Sequence, residues 1–102
     1  MMELIYIVYP DKKQAISAGG ALVKEKLAAC VNILDNMTSV YFWQGELQSD
    51  NEVVLLAKTT TENRPKLCAK VKSDHPYDCP AIFSIGTSYV DPDYEDWLKS
   101  QT

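Results

Sequence analysis

The sequence predicts an α+β protein with a ferredoxin-like (split βαβ) fold: an antiparallel sheet with two helices on one face, plus a short C-terminal helix. The chain has 102 residues, enough for one domain with a modest core, which we place over residues 1–102. Apolar patterns follow the order β-α-β-β-α-β and end with a last helix. The predicted strands are apolar on both faces, so each side of the sheet needs a cover.

The chain begins with a predicted strand and a predicted helix. Residues 3–9 (ELIYIVY) form a short apolar strand. Asp11 is predicted to cap the helix, with Gln14 three residues later in a capping-box arrangement. Gly19 and Gly20 predict that the helix backbone passes close to the sheet. The helical stripe predicted to face the core consists of Ala15, Ile16, Leu22, Val23 and Leu27.

A second strand and a long hairpin follow. Residues 28–34 (AACVNIL) are predicted as either a separate strand or the first half of one long, bent strand. Asp35 and Asn36 predict a turn or bulge after it. Residues 39–60 are predicted to form the hairpin, which is the longest feature of the fold, with its turn at the cluster Ser49-Asp50-Asn51.

The last third of the chain predicts a helix, a strand and a helix. The second helix covers residues 62–74, and Pro65 is tolerable in its first turn. Residues 81–85 form the last strand. Asp91 is predicted to cap a short C-terminal helix with Pro92 at its first position. The apolar stripe that docks this helix consists of Tyr94, Trp97 and Leu98.

Composition excludes several classes of function. The net charge of −4 argues against a duplex nucleic-acid binder, which needs a surplus of lysine and arginine. No apolar run approaches the ~20 residues of a membrane helix, and we expect no membrane partner. The start of the chain lacks a secretory signal pattern. Three cysteines without C-x-x-C spacing predict free thiols in a reducing compartment, so we expect a cytoplasmic protein.

Few residues suggest catalysis. His75 is the only histidine, which excludes motifs that need two imidazoles. Cys79 lies four residues after His75, so a thiolate–imidazole pair is conceivable, but the sequence offers no third group to orient it. A phosphate-binding glycine loop and a G-x-S-x-G motif are both absent from the sequence. We therefore predict no enzyme, and keep an enzyme that uses Cys79 and His75 as the third alternative.

Four blocks of the sequence resemble the CutA family of divalent-cation tolerance proteins. They are LAACVNI, SVYFWQG, EVVLLAKT and HPYDCP, at residues 27–33, 39–45, 52–59 and 75–80. Tyr94 and Trp97 resemble the closing Y-x-x-W of that family, and the resemblance covers nearly the whole chain. It implies a ferredoxin-like protomer in a tight homotrimer whose long hairpins pair between subunits. It also implies copper tolerance and copper binding, an assembly similar to the PII signalling proteins, and no firmly attached reaction. This chain has Ala81 where the family usually has a glutamate.

The first functional hypothesis is a homotrimeric divalent-cation tolerance protein that binds copper or another divalent metal. Thiolate and imidazole ligands suit copper. Its partners would be further copies of itself and the metal ion, and copper its only candidate cofactor. The candidate metal ligands are Cys30, His75 and Cys79, which we do not expect to form one closed site together.

The alternative hypothesis is a PII-like regulatory trimer that binds a small anionic ligand or a partner protein in clefts between subunits. His75 is either a ligand of this cleft or a packed histidine that caps the end of the second helix. The candidate residues of the cleft are Trp43, Lys58, His75, Tyr77, Tyr94 and Trp97.

Overall fold

The computed structural model describes all residues from 1 to 102 and has four strands and three helices in the predicted order. The antiparallel sheet has the strand order β2-β3-β1-β4, which is that of a ferredoxin-like fold and confirms the predicted class. None of the helices is long and apolar enough to span a bilayer. The elements are β1 (Met2–Tyr9), α1 (Lys12–Lys24), β2 (Cys30–Trp43), β3 (Glu46–Thr60), α2 (Arg64–Asp74), β4 (Ile82–Gly86) and α3 (Pro92–Ser100).

The main core lies between the sheet and the two longer helices. Alternate residues of β1 and β3 point toward α1 and α2, because successive side chains of a strand point to opposite faces. Both helices therefore cover the same face of the sheet, as predicted. The buried residues that form this core include Ile5, Ile7, Ala15, Leu22, Val53, Leu55, Ala57, Leu67 and Val71.

Helix α1 begins as predicted. The Asp11 side chain accepts a hydrogen bond from the backbone N–H of Gln14 at 2.8 Å and a second from its side-chain amide, also at 2.8 Å. Gly19 is the point of close approach, because an added Cβ there would lie 2.8 Å from Cγ2 of Val31. Gly20 has open space around its Cα. The predicted close approach is therefore confirmed for Gly19 alone.

The predicted core stripe of α1 is partly wrong. Ile16 is 51% exposed and Val23 is 39% exposed, whereas Ala15 and Leu22 are buried. The reason is that only a narrow arc of the helix meets the sheet, and Gly19 lies on this arc together with Ala15 and Leu22. Ile16 and Val23 lie outside that arc.

The hairpin is confirmed, but its turn was predicted at the wrong place. The turn lies at Gln44-Gly45, where the φ angles are +50° and +82°. A two-residue turn with φ > 0 at both positions matches the right-handed twist of the paired strands, and glycine adopts this conformation at little cost. The segment 49–51 is instead part of β3 and pairs with residues 38–40 of β2.

Strand β2 is one long, bent strand, the second of the two predicted forms. Its register with β3 shifts between Leu34 and Met37. Asn36 has a φ of +61°, and the backbone N–H of Asn36 donates a hydrogen bond to the Asp35 side chain at 2.7 Å. This bulge bends the strand, so that the outer half of the hairpin, residues 37–52, extends beyond the helices.

The sheet face opposite α1 and α2, which we call the second face, is also apolar. Tyr6 pairs with Phe83 and Leu4 with Ile85 on this face, and the rings of Tyr6 and Phe83 stack with centroids 4.7 Å apart. Phe83 and Ile85 are exposed. Only α3 lies on this face, with Tyr94 packed beneath the ammonium group of Lys58 at 5.6 Å. A single chain therefore leaves much of the second face uncovered.

Candidate functional site

A cleft of about 930 Å³ opens on the second face, between the outer half of the hairpin and the segment that follows α2. We call it the cleft. Strands β1, β2 and β3 form its floor and one wall, and the segment 76–81 forms the other wall. The lining residues are Tyr6, Val8, Pro10, Ser39, Tyr41, Trp43, Asp50, Asn51, Glu52, Pro76, Tyr77, Asp78, Cys79 and Ala81.

Two phenol–carboxylate pairs lie in the cleft. The hydroxyl of Tyr77 donates a hydrogen bond to Oε2 of Glu52 at 2.7 Å, which ties the segment after α2 to strand β3. The hydroxyl of Tyr41 donates to Oδ2 of Asp50. This hydrogen bond raises the pKa of Tyr41, and burial followed by the bond to Glu52 raises the pKa of Tyr77. Both phenols therefore remain protonated donors at neutral pH.

All the charged side chains that line the cleft are acidic. Three carboxylates line it, those of Asp50, Glu52 and Asp78, and no lysine or arginine does. Asp50 and Glu52 point to the same face, because they are two positions apart on β3. The aromatic rings of Tyr41, Trp43 and Tyr77 lie among these carboxylates, and Trp43 is 59% exposed.

His75 ends helix α2 and links it to β1 and to the cleft. Its Nε2 lies 2.6 Å from the carbonyl oxygen of Val8, and its Nδ1 accepts the backbone N–H of Tyr77 at 3.0 Å. A carbonyl oxygen can only accept, so the proton of the neutral ring must be on Nε2. The ring also stacks on Tyr9, with centroids 4.5 Å apart.

These contacts occupy both ring nitrogens of His75. Neither nitrogen is left free to take a proton from Cys79 or to bind a metal ion in this arrangement. The hydrogen bond from the backbone N–H of Tyr77 to the ring instead fixes the position of Tyr77, and with it one wall of the cleft. This geometry has the features of the packed, helix-ending histidine that was one of the two sequence interpretations.

The structure divides the other predicted cleft residues into two groups. Trp43 and Tyr77 line the cleft. Lys58, Tyr94 and Trp97 form a second group, in which the Tyr94 and Trp97 rings have centroids 5.6 Å apart. Lys58 is six positions along β3 from the cleft residue Glu52, a distance of about 20 Å in an extended strand.

The predicted metal ligands are also separated. Cys30 begins β2 beside Lys58, whereas Cys79 lines the cleft and is exposed. Nowhere in the chain do three or more histidine, cysteine, aspartate or glutamate residues converge so that they could hold a metal ion. A site with three protein ligands would need contributions from more than one copy of the chain.

Sequence reasoning missed the two strand carboxylates of the cleft. The sequence analysis places Asp50 in a turn and therefore does not predict which face of the sheet its side chain occupies. It assigns no role to Glu52. The signal that could have found them is Gly45, the only glycine between the two arms of the hairpin. A turn placed there puts Tyr41, Asp50 and Glu52 on one face by strand alternation.

Comparison with known proteins gives a consistent result. A family model described as "CutA1 divalent ion tolerance protein" matches residues 3–101. The divalent-cation tolerance protein CutA of Thermus thermophilus is 45% identical over 100% of this chain and 99% of its own length. A chloroplastic CutA 1 protein of Oryza sativa is 36% identical over 97% of this chain, which spans 56% of that longer protein.

Solved structures agree with these sequence relatives. The Thermus thermophilus protein superposes with a TM-score of 0.94, covering 100% of this chain and 99% of that one. The crystal structure of CutA1 from Oryza sativa has a TM-score of 0.95 at 36% identity, covering 99% of this chain and 93% of that one.

Proposed function

The chain belongs to the CutA1 divalent ion tolerance family, and we propose that it is a cytoplasmic homotrimer that binds a divalent metal ion, copper first, and catalyses no reaction. The names of its relatives denote tolerance to divalent cations rather than an enzymatic reaction. The three free cysteines are consistent with a reducing compartment.

The observation that supports self-assembly is the set of large apolar side chains exposed on both faces of the hairpin and on the second face. Phe42 is 73% exposed and Leu47 is 65% exposed at the tip, beyond the reach of the helices. Trp43 is exposed on the opposite side of the same tip. Contiguous apolar surface of this kind marks interfaces, and identical copies in a closed ring are its simplest cover. Three copies is the number implied by the chain's resemblance to the CutA family.

Cys79 is the most accessible of the candidate copper ligands. It is exposed and lies in the cleft with several carboxylates, whereas Cys30 is half-buried at the start of β2. Thiolate ligands favour copper. His75 would join a site only after one of its ring nitrogens released its backbone partner. Copper bound by ligands from different subunits fits this separation better than a closed site in one chain.

Calorimetry of the purified protein tests copper binding. Titrations would use Cu(II), and Cu(I) under anaerobic conditions. We expect a variant carrying Cys30→Ser, His75→Asn and Cys79→Ser to bind at least tenfold more weakly than the natural chain. Cys68→Ser is the matched control, since burial raises the pKa of the Cys68 thiol and makes it a poor ligand. Unchanged affinity in the triple variant would reject the proposed ligands, and no uptake by the natural chain would reject copper.

The second candidate function is a PII-like regulatory trimer that binds a small ligand or a partner protein in clefts between subunits, of which the cleft of one chain would form one side. The size of the cleft favours it, since pockets for small molecules usually enclose about 300–1,000 Å³. Its lining favours it too, because apolar and aromatic surface is combined there with a few oriented polar groups. Lys58, the one lysine among the candidate cleft residues, does not line this cleft within one chain. Thermal stabilisation by a bound small molecule would test the candidate.

A further inference from the structure

We propose that a pocket between helices α1 and α2 binds a small uncharged molecule that combines an amide group with one apolar ring. This pocket, which we call the helix pocket, has a volume of about 230 Å³. It lies on the helix side of the sheet, away from the surfaces that we assign to self-assembly. The inference goes beyond the proposed function and requires neither copper binding nor a particular number of subunits. Residues that line the helix pocket include Tyr9 of β1, Ala18, Ala21 and Leu22 of α1, and Val71 and Asp74 of α2.

The hydroxyl of Tyr9 is the buried polar group that points to a ligand. Tyr9 is 3% exposed, and its hydroxyl has no hydrogen-bond partner in the chain. The hydroxyls of Tyr6, Tyr41 and Tyr77 each donate a hydrogen bond. Every fully enclosed side-chain oxygen or nitrogen of the chain has a partner, so the Tyr9 hydroxyl must open into the pocket that this residue lines. A buried hydroxyl without a hydrogen bond is costly, and an oxygen acceptor on a ligand would remove that cost.

Asp74 supplies an acceptor beside this donor. Burial, and secondarily the charge of Asp74, raises the pKa of Tyr9 to about 12. The carboxylate therefore lies near the phenol, although no hydrogen bond joins them. Asp74 accepts hydrogen bonds from Lys70 and Ser73, and an ionised carboxylate has about four acceptor positions. An amide has an acceptor and a donor side by side, so its carbonyl oxygen can accept from Tyr9 while its N–H donates to Asp74.

The charges at the helix pocket favour an uncharged molecule. The ammonium group of Lys70 lies 3.0 Å from a carboxylate oxygen of Glu25 and 3.2 Å from one of Asp74. Because two carboxylates flank this one ammonium group, an anion would be repelled by a net negative charge. A cation would compete with Lys70 for carboxylates that already have a partner. Hydrogen bonds to a neutral group therefore suit the pocket best.

The walls and the volume of the helix pocket set the size of the ligand. Apolar side chains of both helices form the walls, those of Ala18, Ala21 and Leu22 on α1 and that of Val71 on α2. A cavity of about 150 Å³ accommodates benzene, and pockets for drug-sized molecules usually enclose about 300–1,000 Å³. The volume of about 230 Å³ lies between these values. One ring with an amide substituent matches it.

Benzamide is the probe. Titration of the isotope-labelled full chain, followed by NMR, measures its affinity and shows where it binds. We expect saturable shifts of the backbone resonances of α1, α2 and the end of β1. Benzoate and benzylamine, which carry a negative and a positive charge, should bind at least tenfold more weakly than benzamide. N,N-dimethylbenzamide keeps the carbonyl oxygen but has no N–H for Asp74, so it should bind severalfold more weakly.

Variants test the two hydrogen-bonding groups. Tyr9→Phe removes the donor but keeps the ring, and should weaken benzamide binding at least fivefold. Asp74→Ala removes the acceptor and should weaken binding severalfold, whereas Asp74→Asn keeps an acceptor oxygen and should restore most of the affinity. Tyr6→Phe is the matched control, because Tyr6 lies on the opposite face of β1 and outside the helix pocket. It should change the affinity less than twofold.

Filling the helix pocket gives a test that does not depend on Tyr9. Ala21→Leu places a larger side chain in the pocket, and leucine is among the better helix formers. The chain should therefore fold while benzamide binding falls at least tenfold. Undiminished binding in both Tyr9→Phe and Ala21→Leu would overturn the inference.

The remaining outcomes separate this inference from the proposed function. No saturable binding of benzamide would overturn it, as would shifts confined to the cleft or tighter binding of benzoate or benzylamine. Copper titration and the mass of the protein in the same samples test the proposed function separately. A chain that fails both of those tests but binds benzamide in the helix pocket would support this inference and reject the metal-binding trimer.

Discussion

Gly19 and Gly20 are neighbours in α1 but have different surroundings. A Cβ at Gly19 would lie 2.8 Å from Cγ2 of Val31 and 3.2 Å from Cδ1 of Leu55. Val31 cannot easily move aside, because its β-branched side chain is stiff at χ1. We expect Gly19→Ala to lower the free energy of unfolding by about 1–3 kcal/mol, although alanine is the better helix former.

Gly20→Ala is the matched control, since open space surrounds this position. It should raise the free energy of unfolding by up to about 1 kcal/mol through helix propensity. Urea unfolding at one protein concentration measures both variants. Equal effects at the two positions would contradict the packing described for α1.

Tyr9 makes stability depend on pH in the alkaline range. Burial, and secondarily the charge of Asp74, raises the pKa of Tyr9 to about 12 from its ordinary 10.0. The folded state therefore favours the protonated phenol. Its contribution to stability is complete below about pH 10 and is lost as pH rises through about 12, because the unfolded chain ionises first.

A Tyr9→Phe variant isolates this effect. The variant cannot ionise at position 9, so its free energy of unfolding should fall less between pH 9 and pH 12 than that of the natural chain. The difference between a pKa of 10.0 in the unfolded chain and about 12 in the folded protein corresponds to roughly 3 kcal/mol of free energy of unfolding. Lysines and other tyrosines titrate in both proteins and cancel in the comparison. Parallel pH profiles for the two proteins would rule out the protonated, buried phenol.

His75 illustrates what a sequence leaves open at the scale of one residue. Its place between a helix and Pro76 allowed both a ligand and a packed histidine. The difference depends on the carbonyl oxygen of Val8, which lies 67 positions away in the sequence. Local patterns contain no information about such a contact.

At the scale of the secondary-structure elements, the hairpin turn depends on the backbone conformation of one glycine. Gly45 has a φ of +82°, where a Cβ is strained. We expect Gly45→Ala to destabilise the protein by about 1–2 kcal/mol. Gly86→Ala is the matched control, because Gly86 has open space and no positive φ. Urea unfolding would compare the two, and an equal effect would contradict the turn at Gln44-Gly45.

Most elements could be predicted because their signals are local. Asp11 and Asp91 cap the first and last helices as the sequence indicated, and Asn36 marks the predicted bulge. The turn was predicted at residues 49–51, because three adjacent polar residues are a stronger turn signal in the sequence than the single Gly45. That cluster is tolerated in β3 because the outer half of the hairpin lies beyond the helices, where polar and apolar side chains are both exposed.

The candidate site could be predicted only in part. Trp43, Tyr77 and Cys79 were identified and do meet in the cleft. Lys58 does not line the cleft within one chain, and its expected place at a subunit boundary stays a prediction. Two of the three carboxylates of the cleft, Asp50 and Glu52, follow from strand alternation once the turn is placed at Gly45, whereas Asp78 joins them only when the segment after α2 meets β3.

On the scale of the whole molecule, the chain is elongated and incompletely covered. Its extents are 46 × 26 × 22 Å, and its radius of gyration is 14.3 Å, against about 13 Å for a compact chain of this length. The excess comes from the hairpin, which projects beyond the core with exposed apolar residues at its tip. Burying such surface stabilises an assembly by about 25 cal/mol per Å². The two-sided apolar strands of the sequence also predict that other copies of the chain cover this surface.

The mass of the protein in solution tests self-assembly most directly. Sedimentation equilibrium at micromolar concentration should give three times the 11.5 kDa of one chain. A variant with Phe42→Ser and Leu47→Ser changes only residues exposed in one chain, so its fold should persist while its assembly weakens. A mass of 11.5 kDa for the natural chain would contradict the account, because the second face and the hairpin would then remain exposed to water.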